Sequence, residues 1–186
     1  MKNLRHFSIR NMVIVLAMLG LVPAAAADEM TVEQKIERAM SAAPARISAN
    51  ATIMDSDGTV LREGTNEWIC KPGGPAGSKT YPICNDPVFT AWADAVWNDK
   101  PFSTDVIGYS YMLAGGFSPD TTNPFAKKSE PTENSHHEGP HLMLVLPNPA
   151  MRKGISSDPD DDDIFVIFED TPMELVIIPL GDVITE

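Results

Sequence analysis

Four groups of residues in this chain have the types and spacing to do chemistry. Asp55 and Asp57 stand two apart in "ATIMDSDGTVL", residues 51–61. A carboxylate pair of that kind can supply a nucleophile and a general acid. His136, His137 and His141 fall within "SHHEGPHLM" together with Glu138. They offer the imidazole and carboxylate donors that suit zinc or copper. Met112, Met143 and Met151 would add soft thioether donors for copper. The acidic run "DPDDDD", residues 158–163, places Asp158, Asp160, Asp162 and, further on, Glu169 at the first, third, fifth and twelfth positions of a calcium loop. The fourth group is Cys70 and Cys84, the two cysteines of the chain.

Spacing narrows each of these. Thirteen residues separate the cysteines, far from a C-x-x-C redox or zinc spacing, so a disulfide is expected. Its loop, "KPGGPAGSKTYPI", has no helical or strand period and needs the bond to pin it. No H-E-x-x-H occurs, and Pro140 forbids a helix between His137 and His141. Those two histidines meet only if the Gly139-Pro140 turn folds them together. His141 begins an apolar run, so a partly buried, hydrogen-bonded ring is expected there. Asp163 stands where a calcium loop needs glycine, which favours a solvated loop. G-x-S-x-G is absent, and Ser118, after Gly115-Gly116-Phe117, reads as part of a turn.

The elements that must position these residues follow from periodicity. Thr31 and Gln34 fit a capping box, and Val32, Ile36, Ala39, Met40 and Ala43 share one helical face up to Pro44. Asp57-Gly58 between two short apolar runs predicts a hairpin, and residues 51–55, 59–63 and 66–70 read as a small meander. Asp86-Pro87 is a strong helix start. Val88, Phe89, Trp92, Val96 and Trp97 then recur at helical spacing, with Trp92 and Trp97 as expected core anchors. Residues 106–113, 141–147, 164–168 and 174–178 read as strands. Residues 115–140, rich in Gly, Pro, Ser, Thr and Asn, read as a long loop.

The N-terminus has the form of a secretory leader over residues 1–27. Lys2, Arg5 and Arg10 precede an apolar stretch, Met12 to Val22, that is shorter than the ~20 residues of a spanning helix. Ala24 to Ala27 offers a cleavage site before Asp28, and an uncleaved anchor is the alternative. The leader holds three of the 14 basic residues and none of the 26 acidic ones. Residues 28–186 therefore carry 11 positive against 26 negative charges, a balance of −15. Such a chain is repelled by nucleic acid and by anionic membrane surfaces. The expected location is the periplasm or the outside of the cell.

An apolar run ending in Asp55-Ser-Asp57-Gly-Thr59 resembles the first motif of the haloacid-dehalogenase phosphatases. That resemblance implies Asp55 as nucleophile, Asp57 as acid and Mg²⁺ between Asp55 and the phosphate. "IFVIFED" with Glu174 is similar to the family's late acidic motif, and Lys153 would hold the phosphate. The residues themselves argue for a turn. The segment before Asp55 is half polar, unlike a central parallel strand. One clear helix lies between Asp55 and Glu169, where a doubly wound fold needs several. No apolar strand ending in Ser or Thr supplies the family's second motif. Taken together, the leader, "ATIMDSDGTVLREGTNEW", "DPVFTAWADAVW" and "GPHLMLVLPNPAM" resemble exported bacterial proteins without an assigned activity, which implies location but transfers no catalytic residue.

The expectation is a single compact α+β domain over residues 28–186, a mainly antiparallel sheet with two amphipathic helices. Its expected role is non-enzymatic: binding a small ligand, or copper or zinc, near His141 and the 115–140 loop, or acting as an envelope accessory. The alternative is a metal-dependent hydrolase, in its sharpest form a phosphomonoesterase using Asp55 and Asp57.

Overall fold

Thr31 opens the first helix as its type predicts. Its hydroxyl accepts from Gln34 N at 3.3 Å, and Gln34 Oε1 accepts from Thr31 N at 2.7 Å. This helix, α1, spans Val32–Met40. It closes at its C-cap Ser41, ahead of the expected stop at Pro44, and Pro44 caps a second short helix, α2, Ala45–Ser48. A proline that cannot continue one helix is preset for the first turn of the next. The computed structural model describes residues 29–161 and 163–182; the leader expected over residues 1–27 lies outside them, as does Asp162 of the acidic run. With the later helix the described residues hold three α-helices where two were expected.

The hairpin at Asp55 forms. Strands β1 (Thr52–Met54) and β2 (Val60–Arg62) pair antiparallel. Asp55 N donates to Thr59 O at 2.8 Å, and Gly58 takes φ +89° at the tip. The meander does not continue. Strand β3 (Ile69–Lys71) crosses to the other side of β1 and pairs with it in parallel. The crossing is set by Gly64, whose missing Cβ would lie 2.2 Å from Thr52 N, and by Thr65 N and Asn66 N, which both donate to Asn50 O. A sequence pattern of short half-buried strands carries no information about this close backbone approach.

The remaining strands are β4 (Ile83–Asn85), β5 (Gly108–Met112), β6 (Gly116–Ser118), β7 (His136–Glu138), β8 (His141–Val145), β9 (Phe165–Ile167) and β10 (Leu175–Pro179). Eight of them form one sheet in the order β2-β1-β3-β4-β5-β8-β10-β9. Every pair but β1–β3 is antiparallel, so the α+β class holds. Cys70 and Cys84 face each other across β3–β4 and are joined in a disulfide buried from solvent. Beyond β9, Ser156 bridges to Phe165 and its carbonyl accepts from Val166 N at 2.8 Å.

Helix α3 (Pro87–Trp97) covers one face of the sheet. Phe89, Trp92 and Ala95 pack there on Met112, Met143, Val145, Phe165 and Ile177. The other face carries α1, whose Ala39, with Ala42 and Ala43 beyond it, packs on Ile53 and the disulfide. Trp92 is buried, but Trp97 is 88% exposed. At 100° per residue, Trp97 points about 140° away from Trp92, so an i, i+5 pair cannot share the core face.

Residues 115–140 are not one irregular loop. Their ends zip into a separate two-stranded ribbon, β6–β7, with Gly116↔Glu138, Phe117↔His137 and Ser118↔His136 in register. The enclosed segment, 119–135, is gathered on the buried Asp120 carboxylate. It accepts from Thr122 N, Thr122 Oγ1, Asn123 N and Thr132 Oγ1. Among the described residues no helix is long and apolar enough to cross a membrane.

Two substitutions test what holds this frame. Asp86 caps α3 by accepting from Phe89 N at 2.7 Å, and its other oxygen accepts from Tyr109 N in β5 at 2.9 Å. Asp86→Ala removes both acceptors and is expected to lower stability by about 2 kcal/mol in urea unfolding. Replacing both Cys70 and Cys84 by Ala is expected to cost about 3 kcal/mol, the loop-closure value for ~15 residues. An unchanged urea midpoint in either case would show that helix start or bond to be dispensable.

Candidate functional site

The carboxylates of the phosphatase resemblance are dispersed. Asp55 Oδ2 is paired with Lys35 Nζ of α1 at 2.6 Å. Asp57 Oδ1 accepts from Thr59 N at 2.9 Å, the side-chain turn that tight hairpins favour. This hydrogen bonding holds the Asp57 carboxyl below its usual range. Glu169, Asp170 and Glu174 lie at the opposite end of the sheet. Arg152 gathers all three: Nη1 to Glu169 at 2.9 Å, Nη2 to Asp170 at 3.4 Å, Nε to Glu174 at 2.8 Å. Six strand positions separate β1 from β9, about 29 Å at the usual spacing. Asp55 and Asp170 therefore do not share a cleft, and Arg152 rather than Lys153 holds the late acidic residues.

The acidic run behaves as a solvated loop. Asp158 Oδ1 accepts from Asp160 N, and Asp163 Oδ1 from Ile164 N. Glu169, the twelfth position of the calcium pattern, is committed to Arg152. Two surface clefts, of about 580 and 220 Å³, are lined by Gly154–Ser156 with Asp161 and Asp163, and by Phe102, Val145, Pro147, Pro172 and Val176 among others.

The three histidines are separated by the ribbon. Successive residues of a strand point to opposite faces, so His136 and His137 diverge. His137 packs at a tilt of 43° against Phe117, its cross-strand partner, with ring centroids 4.6 Å apart. His136 sets its edge on Phe165, and its Nδ1 lies 3.9 Å from Asp160 Oδ1. Desolvation pulls the His136 pKa down, against a smaller pull upward from Asp160. The Gly139-Pro140 turn leads from the ribbon into the main sheet, so it parts His137 from His141 instead of closing them together. Among the described residues no three His, Cys, Asp or Glu side chains gather closely enough to hold a metal ion. Met112 and Met143 belong to the α3 core, and Met151 is exposed.

What the fold does bring together is Glu138, His141, Ser118 and Gly116. His141 is 2% exposed and Glu138 7%. His141 Nδ1 lies 2.7 Å from Gly139 O. A carbonyl can only accept, so Nδ1 carries the proton and the Nε2 lone pair is left open. Burial lowers the His141 pKa, against a smaller upward pull from the Gly139 hydrogen bond, and so favours the neutral ring. Ser118 Oγ donates to Glu138 Oε1 at 2.8 Å. The His141 ring edge and the Glu138 carboxylate both lie against Gly116. A Cβ there would lie 2.7 Å from His141 Cε1, 3.0 Å from Glu138 Oε2 and 3.4 Å from His141 Nε2. Among the described residues no other residue supplies a hydrogen bond or ion pair to that Oε2 or that Nε2. Burial pushes the Glu138 carboxyl up to about 7, opposed by the Ser118 hydrogen bond and, more weakly, by Lys128. Desolvation in turn lowers the Lys128 ammonium. The result is a buried imidazole, its pKa lowered by desolvation, beside a carboxyl raised to about 7.

Sequence reasoning found His141 and its burial. It named Glu138 only as a neighbour of histidines and took Ser118 for a turn residue. Register was the missing signal: Gly116 and Glu138 matter because they oppose each other in a strand pair. No family model, no curated protein and no solved structure matches this chain.

The pH dependence of folding tests this environment. Glu138 keeps its proton up to about pH 7 in the fold but loses it near 4.5 when unfolded. Its contribution therefore falls as pH rises from about 4.5 to 7. His141 works in the opposite sense, since stability from a buried neutral ring is lost as pH drops below its unfolded value. The two contributions therefore act in opposite directions in the wild type. Glu138→Gln removes one side. Its stability relative to wild type is expected to grow across that window, approaching about 3 kcal/mol above pH 7. A difference independent of pH, in chemical denaturation with chelator present, would show Glu138 to be solvated.

Proposed function

We propose that this chain is an exported, non-enzymatic binding protein that takes a small ligand or a metal ion, copper or zinc, beneath the β6–β7 ribbon. The observation that carries the reading is the meeting of two buried ionisable residues, Glu138 and His141, beside Gly116, where a Cβ would lie 3.0 Å from Glu138 Oε2 and 3.4 Å from His141 Nε2. A fold that serves only as a scaffold gains nothing by burying two ionisable side chains side by side. The Cys70–Cys84 bond fits an oxidising compartment, and the leader-like N-terminus supports export to the periplasm or beyond. The balance of −15 over residues 28–186 disfavours nucleic acid and anionic membrane as partners. The alternative, a metal-dependent phosphomonoesterase using Asp55 and Asp57, has less support. Asp55 is committed to Lys35, and the late acidic residues sit across the sheet.

Native mass spectrometry of protein isolated from the exported fraction tests the reading. A bound species at fixed stoichiometry is expected, released by Glu138→Gln and by His141→Ala. Mg²⁺-dependent phosphate release from an aryl phosphate, abolished by Asp55→Asn, would replace the binding role with the hydrolase.

A further inference from the structure

We propose that the 220 Å³ cleft lined by Phe102, Val145 and Glu174 is a separate binding site, selective for a small organic ammonium ion on a short apolar stem. It shares no lining residue with the Glu138–His141 pair. Val145 stands four residues along β8 from His141, about 13 Å away.

Three chain crossings build the cleft: the link from α3 to β5, the exit from β8, and the turn from β9 to β10. Phe102 and three prolines, Pro147, Pro149 and Pro172, stand in its walls. Proline rings lock the backbone, so the apolar lining is formed before any ligand arrives. The volume falls below the ~300–1,000 Å³ of pockets for drug-sized molecules, which limits the stem to a short one.

Charge selects the head group. Asp105, Glu169, Asp170 and Glu174 lie in or directly beside the three lining segments, and no basic residue does. The cation drawn to them, Arg152, is one guanidinium shared among three carboxylates. The surplus is negative, which attracts a cation and repels an anion. Glu174 is the carboxylate in the lining, and its side chain is 9% exposed. Its Oε1 meets Arg152 Nε, and its Oε2 accepts from Asp170 N at 3.3 Å. A carboxylate offers about four lone-pair sites, so each oxygen can still accept from an ammonium.

The turn that carries Glu174 is strained. Phe168 has φ +60° and Asp170 φ +61°, a conformation that a bulky aromatic residue rarely adopts. It is clamped there. Phe168 N donates to Thr121 O at 2.6 Å, and Thr171 N and Oγ1 donate to Phe168 O at 3.1 and 2.7 Å. Strain held in this way clusters at ligand-gripping turns; here it sets Thr171 and Glu174 into the wall.

The test is a methyl-detected NMR titration of the isolated protein, disulfide intact, with n-butylammonium, n-butanol and butyrate in turn. Saturable shifts of the Val145 and Val176 methyls are expected with n-butylammonium. n-Butanol should bind roughly tenfold more weakly, for want of a charge-assisted hydrogen bond, and butyrate not at all. Glu174→Gln should weaken n-butylammonium by a similar factor. Asp170→Asn, which suits the left-handed backbone, should weaken it less. Ser103→Trp, at an exposed wall position, should fill the mouth and abolish binding. The comparison of the three probes needs only the unaltered protein, so it decides even where a variant fails to fold. No saturable shift with n-butylammonium overturns the inference. So does butyrate or n-butanol binding as tightly, or a shift that persists in Ser103→Trp.

Discussion

The β5–β8 ladder is the constraint on which the rest of this molecule depends. It joins the first half of the sheet, β2-β1-β3-β4, to the second, β10-β9. Five residue pairs run from Gly108↔Val145 to Met112↔His141. The last pair has a topological consequence. The chain leaves the sheet after Met112 and must return opposite it at His141, so everything between is an excursion closed at a single rung. The ribbon within that excursion therefore stands next to His141, whatever the sequence of its tip. Glycines at the exit, with Gly115 at φ +86°, let the chain turn out of β5 directly into β6.

The same ladder divides the two faces. Ser110 and Met143 oppose each other on the side covered by α3, and the Ser110 hydroxyl donates to Asn85 Oδ1 at 2.6 Å in a fully buried position. Tyr111 is turned to the other side, where it meets Trp68 near the disulfide. The disulfide and α1 thus stabilise the half of the sheet that lacks α3. Short strands of three residues would hold little on their own; a covalent tie at β3–β4 offsets that deficit.

Much of this was legible because it is local. Thr31 with Gln34, and Asp86 with Pro87, state helix starts within four residues, and backbone donors at helix ends must find an acceptor. The Asp55–Thr59 turn was readable for the same reason. The parallel placement of β3 was not, since it depends on Gly64 approaching Thr52 N across the chain. Trp97 was misread because helical spacing specifies a face only when the phase of the last turn is counted. At the site, the pattern around His141 announced burial, but Glu138 acquires its role through its register with Gly116. Pairing between segments some 20 residues apart leaves no period in the sequence. Asp120 likewise sits in a stretch that looks structureless until its four hydrogen-bond donors are seen together.

The outer rims of the sheet show how the molecule limits self-association. At one rim β2 is three residues long, and Arg62 folds inward to the carbonyls of Ser48 and Ala51. At the other, β9 is wholly buried and apolar, the kind of strand on which a foreign chain could template. Ser156 occupies the first position on that rim, and the aspartates just after it line the approach with negative charge. A second molecule bringing its own acidic run to the same rim meets like charge before it meets a free amide. Polymerisation by strand addition is thus opposed at both rims, by shortness and inward charge at one and by occupancy and repulsion at the other.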